Sequence, residues 1–172
     1  MAYHWQRTRV KICGLTRPGD AELAVALGAD AIGLVFYAAS PRAVDVEGAR
    51  SILARVPPFV TVVGLFVNAA ASEVAHTMSQ VRIDVLQFHG DETPDFCAGF
   101  GRPYIKAVRM APEVELDAEF SRFPDARALL LDAYQADARG GTGHAFDWHR
   151  AVVAPGRRVI LAGGLTPANV GA

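Results

Sequence analysis

The chain has 172 residues and a formal net charge of −1, with half its residues hydrophobic and a fifth charged. That is enough chain for one globular domain over residues 1–172 with a real core, and the near-neutral balance carries no electrostatic footprint for nucleic acid or another polyanion. The longest apolar run, FVTVVGLFV at 59–67, falls well short of the roughly 20 residues of a membrane span; no apolar signal-peptide core opens the sequence, and two distant cysteines outside any Cys-x-x-Cys pattern offer neither a disulfide framework nor a zinc site.

A cytoplasmic protein without a metal site or membrane contact is expected. Short apolar, branched runs recur along it: VKICG (10–14), AIGLVF (31–36), TVVGLFV (61–67), VLQFH (85–89), YIKAVR (104–109), ALLLD (128–132) and VILAGG (159–164). Most are continuous rather than alternating, as in parallel strands covered on both faces. Helical patterns lie between them. Residues 18–28 carry Ala21, Ala24, Val25 and Gly28 on one face. Residues 45–56 carry Val46, Ala49, Leu53 and Val56, and residues 71–81 carry Ala71, Val74, Ala75 and Met78. Thr93 and Pro94 open a helix over 93–100. Residues 112–123 and 146–153 give weaker helical patterns. Thr166 and Pro167 open a last one, where the sequence stops.

Repeated βα units give either an open doubly wound sheet or a closed (β/α)8 TIM barrel. Uniform repeats and polar residues at the strand ends (Cys13, His89, Arg109, Asp132) favour the barrel, whose chemistry sits at the C-terminal ends of its strands. No Gly-x-Gly-x-x-Gly follows the first strand. Barrels of this class have about 250 residues, so the expectation is a barrel truncated after its seventh strand and the start of the following helix, lacking the eighth βα unit.

Cys13 closes the first strand. It is either a small buried hydrophobe or a thiolate acting as base or nucleophile. Lys11, two residues earlier and on the same side of the strand, is a candidate electrostatic support for it. Asp132, ending an apolar strand, suits a general acid. The glycine-rich loops RGGTG (139–143) and AGG (162–164) follow neighbouring strands and precede helices, which suits a phosphate site. Arg42, in Ser-Pro-Arg, can hold a carboxylate or phosphate bidentately. His89 is either a substrate contact or structural. Lys106 and Arg109 fall on opposite sides of their strand, and Cys97 and Trp148 read as core.

These residues, with their surroundings, resemble one family. VKICGLT (10–16), GADAIGLVFYAASPR (28–42), VVGLFVN (62–68), VLQFHGDE (85–92), YIKAVR (104–109), LLLDAYQADARGGTG (129–143) with FDW (146–148), and ILAGGLTPANV (160–170) are similar, in order, to the phosphoribosylanthranilate isomerases of tryptophan biosynthesis. The resemblance implies a (β/α)8 barrel with no cofactor, active as a monomer or homodimer on a small phosphorylated substrate. It implies an Amadori rearrangement of N-(5-phosphoribosyl)anthranilate to 1-(2-carboxyphenylamino)-1-deoxyribulose 5-phosphate. Cys13 would be the base and Asp132 the acid. Arg42 would contact the anthranilate carboxylate, and Gly141, Thr142, Gly143, Ala162, Gly163 and Gly164 the phosphate. The sister isomerase of histidine biosynthesis uses two aspartates, so a cysteine in the first position points to the tryptophan-pathway enzyme. The competing expectations are another phosphate-binding barrel enzyme, and an inactive truncated barrel.

Overall fold

The computed structural model describes residues 7–133 and 146–171. The chain divides into two compact units, Met1–Leu86 and Gln87–Ala172.

The first unit holds β1 (Lys11–Cys13), α1 (Pro18–Ala26), β2 (Ala31–Val35), α2 (Val46–Leu53), β3 (Thr61–Phe66) and α3 (Ala71–Gln80). The strands pair in chain order and all in parallel, with Cys13 opposite Gly33 and Gly33 opposite Val63. β2 and β3 are buried almost throughout, as their continuous apolar sequences require. β1 is not. Ile12 is 39% exposed and Val10 46%, which corrects the expectation of a buried first strand. Among the described residues β1 is first in the strand order and pairs with β2 alone. Phe59, counted with the apolar run that follows it, is fully exposed in a left-handed turn (φ 69°).

The helices are shorter than their patterns. α1 stops because Gly28 takes φ 93° and its N–H returns to the Val25 carbonyl, a left-handed ending that glycine adopts without a Cβ penalty. Of its predicted stripe only Ala21 is buried. α2 starts at an unpredicted cap, the Asp45 side chain accepting from the Gly48 N–H at 2.7 Å. Ala49 and Ile52 form its buried stripe. α3 buries Val74 and Thr77. The Thr77 hydroxyl donates to the Glu73 carbonyl at 2.9 Å, which lets it sit in an apolar layer at little cost.

β4 (Val85–Phe88) runs across the boundary. The second unit continues with α4 (Pro94–Ala98), β5 (Tyr104–Met110), α5 (Leu116–Arg122), β6 (Ala128–Ala133), a single 3-10 turn over Trp148–Ala151, and β7 (Val159–Leu161). β5, β6 and β7 are again parallel and in chain order, with Arg109 opposite Asp132 and Leu131 opposite Leu161. Val108, Met110, Leu129 and Leu131 pack against Leu116, Phe120 and Val159. Each fully buried side chain of this kind contributes on the order of 1.5–3 kcal/mol. Phe88 meets Phe96, Phe100 and Tyr104 at ring-centroid separations of 5.7, 5.8 and 6.1 Å. Cys97 is fully buried, as expected for a core residue, and burial pushes its thiol up to about 11. Burial likewise pushes the Tyr104 phenol up to about 12.

Thr93 caps α4 as the sequence predicts, accepting from the Phe96 N–H at 3.3 Å. Trp148 departs from expectation. It is only half-buried in its short turn, because a single turn presents no continuous face to the core. The last predicted helix is a run of turns. There the side chain of Asn169, rather than that of Thr166, organises the loop. Its Oδ1 accepts from the Thr166 N–H at 2.7 Å and its Nδ2 donates to the Gly164 carbonyl at 2.9 Å. Among the described residues no helix is long and apolar enough to cross a membrane.

Candidate active site

Cys13 leaves the C-terminal end of β1, where the chain turns at Gly14 (φ 81°). The N–H groups of Gly14 and Leu15 both donate to the Gly33 carbonyl, at 2.9 and 3.3 Å, so the strand end is pinned to β2. The thiol occupies the space where Gly33 lacks a side chain. A Cβ on Gly33 would lie 2.6 Å from Cys13 Sγ, inside any tolerable contact. Glycine within a strand marks such a close approach, and Gly33 is a residue the sequence reading passed over. Cys13, like Tyr37, also packs against the buried cluster of Val35, Leu65 and Val67.

Arg42 comes to the same place. The loop after β2 folds back on its own strand. Val44 N–H donates to the Val35 carbonyl, and Arg42 N–H donates to the Ser40 hydroxyl at 3.2 Å. The guanidinium then lies over Gly14, where a Cβ would fall 2.6 Å from Arg42 Cδ, and Nη1 donates to the Cys13 carbonyl at 3.4 Å. Gly14 is therefore needed twice, for its positive φ and for this approach. Lys11 shares the side of Cys13 but is half-buried rather than buried.

Asp132 closes β6 at 6% exposure. One carboxylate oxygen, Oδ1, accepts from the Ala133 N–H at 2.9 Å. The other, Oδ2, is 3.0 Å from His89 Nε2. His89 Nδ1 is in turn 3.3 Å from the amide nitrogen of Gln87, a fully buried polar residue. Asp132 thus ends a chain of three polar side chains, with Gln87 in β4, His89 just after it and Asp132 in β6. The structure brings His89 to the predicted acid. It also brings the Ala162–Gly164 loop there. Ala162 N–H donates to the Leu131 carbonyl at 2.9 Å, and Gly163 (φ 66°) passes so close to Asp132 that a Cβ would strike the Ala133 nitrogen and approach Oδ1 to 2.7 Å. Gly164 also has a positive φ, 75°. Gly141, Thr142 and Gly143 lie outside the described residues.

Two charged residues that the sequence left ambiguous separate cleanly. Arg109 stands opposite Asp132 in register and donates to Asp91 at 3.0 Å. Lys106, on the other side of β5, is buried and donates to the Gly90 carbonyl at 2.6 Å and to Glu92 Oε2 at 2.8 Å. The Glu92 carboxylate also accepts from the Gly90 N–H at 2.9 Å. A buried ion pair therefore grips both peptide groups of Gly90, the residue after His89. Glu92 was not singled out from sequence. Its signal was an acidic residue three positions after a strand-end histidine, which only a distant lysine makes meaningful.

The arrangement supplies a thiol at one strand end with an arginine beside it, and a buried carboxyl with a histidine and a glycine loop at another. A protein-family model described as N-(5'phosphoribosyl)anthranilate (PRA) isomerase matches residues 10–172. The N-(5'-phosphoribosyl)anthranilate isomerase of Nitrosococcus oceani is 58% identical over 164 residues, covering 95% of this chain and 80% of that protein. The crystal structure of phosphoribosyl anthranilate isomerase from Thermus thermophilus superposes with a TM-score of 0.84 at 42% identity, over 95% of this chain and 80% of its own. A phosphoribosyl anthranilate isomerase solved in complex with reduced 1-(o-carboxyphenylamino)-1-deoxyribulose 5-phosphate superposes with a TM-score of 0.78 at 34% identity, over 95% of this chain and 79% of its own. The parallel strands and intervening helices are thus those of a (β/α) barrel of this kind, and the chain belongs to the N-(5'-phosphoribosyl)anthranilate isomerase family.

Proposed function

We propose that the protein isomerises N-(5-phosphoribosyl)anthranilate to 1-(2-carboxyphenylamino)-1-deoxyribulose 5-phosphate, with Asp132 as acid and Cys13 as base. The observation that carries the activity is the family match over residues 10–172. The assignment of roles is supported by a thiol and a carboxyl standing at strand C-terminal ends, where barrels of this class place their chemistry.

Protonated Asp132 donates to the furanose ring oxygen. The C1–O bond breaks and the anilino nitrogen supplies its lone pair to C1, giving an open-chain iminium. Cys13, as thiolate, removes the proton from C2. The electron pair forms the C1–C2 double bond of an enolamine, which returns to the ketose by protonation at C1. Atoms and electrons balance within the substrate, so no redox partner is called for. Two residues whose surroundings differ as much as those of Cys13 and Asp132 suit opposite proton-transfer roles. Arg42, beside the Cys13 carbonyl, would receive the anthranilate carboxylate as a bidentate partner. The left-handed backbone of Gly163 and Gly164, with Gly141–Gly143, would receive the phosphate. A cytoplasmic location and a monomeric or homodimeric state go with this reading.

The test follows the fluorescence of the anthranilate ring as substrate is consumed. Wild type turns over, and Cys13→Ala and Asp132→Asn each lose roughly 10²–10⁴-fold in kcat. Near-wild-type kcat in either variant removes that residue from its role, and no turnover by wild type removes the activity.

A further inference from the structure

Gln87 has no part in the reaction as proposed, yet it is a polar side chain at 1% exposure, two residues before His89. Residues two apart in an extended strand leave it on the same side. The Gln87 amide nitrogen is 3.3 Å from His89 Nδ1, and His89 Nε2 is 3.0 Å from Asp132 Oδ2. An amide NH2 offers only hydrogens. The ring nitrogen facing it must supply the lone pair, so the proton of a neutral imidazole stands on Nε2 and is donated to Asp132.

From this chain we infer that Gln87 is a positioning residue that holds His89 as the neutral Nε2–H tautomer and thereby leaves the transferable proton of the pair on Asp132. The inference rests on the role of Asp132 proposed above. A histidine–carboxyl pair with one proton to give exists either as acid plus neutral imidazole or as carboxylate plus imidazolium. The second form needs N–H at both ring nitrogens. Here Nδ1–H would face the N–H of the buried Gln87, setting two donors against each other. An unmet buried donor of this kind shifts such a balance by roughly one to two powers of ten. Among the described residues, the other charged groups beside the pair are Arg109, opposite Asp132 in register, which donates to Asp91, and Lys106, on the other side of β5, which is paired with Glu92. Each of these cations faces its own carboxylate, which leaves the Gln87 contact to decide the tautomer. The Gly163 side of Asp132 presents backbone only.

The test uses the full chain with 15N-labelled histidine, its His89 signals assigned by their loss in His89→Asn. Wild type is expected to show a protonated Nε2 and a bare Nδ1. Gln87→Glu puts an acceptor in place of the donor. It should protonate both nitrogens, lower kcat at least tenfold with KM within about twofold, and move the acid limb of the pH profile. Gln87→Met keeps the volume without the donor and should give mixed tautomers and an intermediate kcat. A protonated Nδ1 in wild type overturns the inference, as does Gln87→Glu with wild-type spectrum and kcat. If Gln87→Glu does not fold, the wild-type spectrum still decides. Failure of wild type to consume the substrate strikes the proposed function instead, and the spectrum remains a separate answer.

Discussion

Around Cys13 the positioning is done by backbone and by missing side chains, whereas around Asp132 it is done by side chains. The thiol is placed by the strand end pinned to Gly33 O and by the vacant Cβ position of Gly33. Its flank is open, with Ile12 and Val10 exposed. The carboxyl is buried, and both its oxygens are engaged, by Ala133 N–H and by His89. His89 precedes a glycine that the buried Lys106–Glu92 pair clamps at both peptide groups. A nucleophilic base needs room to reach carbon. An acid that must hold and release one proton needs fixed partners. The two halves meet those needs by opposite means, and substitutions should separate them.

The largest effect is expected from the clamp. Lys106→Met removes the cation that faces the buried Glu92 carboxylate, which costs about 3–5 kcal/mol, read as a lower urea midpoint at unchanged slope. Replacing both members, as in Lys106→Met with Glu92→Leu, should recover part of that stability but not kcat, since Gly90 loses both partners. A loss below about 1 kcal/mol in the single variant would show that the clamp is not a buried pair in solution.

Gly33→Ala acts on the other half. The added methyl needs the space of Cys13 Sγ, and overpacking of this kind costs about 1–3 kcal/mol. The thiol must leave its place. The rate at which Cys13 reacts with a disulfide reagent should therefore change, while Cys97, fully buried with its thiol held protonated, stays silent in both proteins until denatured. Unchanged reactivity of Cys13 would mean that Gly33 does not set its position.

The smallest effect is expected at the start of β1. Asp30 accepts from the Arg7 guanidinium at 2.6 and 2.8 Å, from the Val10 N–H at 2.9 Å and from Arg9 at 2.6 Å. The Arg7 bonds first, then those of Val10 and Arg9, hold its carboxyl well below the usual carboxylate range. A depressed folded-state value means that the stabilisation is present above the unfolded value of about 3.9 and fades as pH falls toward the folded one. Asp30→Asn should thus be slightly less stable than wild type at neutral pH, and the gap should close below about pH 4 in acid titrations followed by circular dichroism. A gap that persists to the lowest pH would assign the effect to packing rather than charge.

Much of this was legible in the sequence because it is local. Continuous apolar runs gave the seven strands, Thr93–Pro94 gave a helix start, and the strand-end positions of Cys13 and Asp132 followed from those runs. Helix lengths were overestimated where a glycine ends the helix early, as at Gly28, or where the pattern is too short to present a face, as at Trp148. What the sequence left open depends on partners far along the chain. Gly33 matters because Cys13 lies opposite it, 20 residues away. Lys106 is a clamp because Glu92 lies 14 residues away, and His89 meets Asp132 across 43.

The sequence by itself determined the succession of strands and helices and which polar residues close strands, because propensity and periodicity are properties of neighbouring residues, and its motifs carried the resemblance to the family. Only the tertiary structure decided which glycines exist to make room, which of Lys106 and Arg109 is buried, and which nitrogen of His89 faces the carboxyl. Those are set by register between strands, which brings together atoms that the linear chain keeps apart.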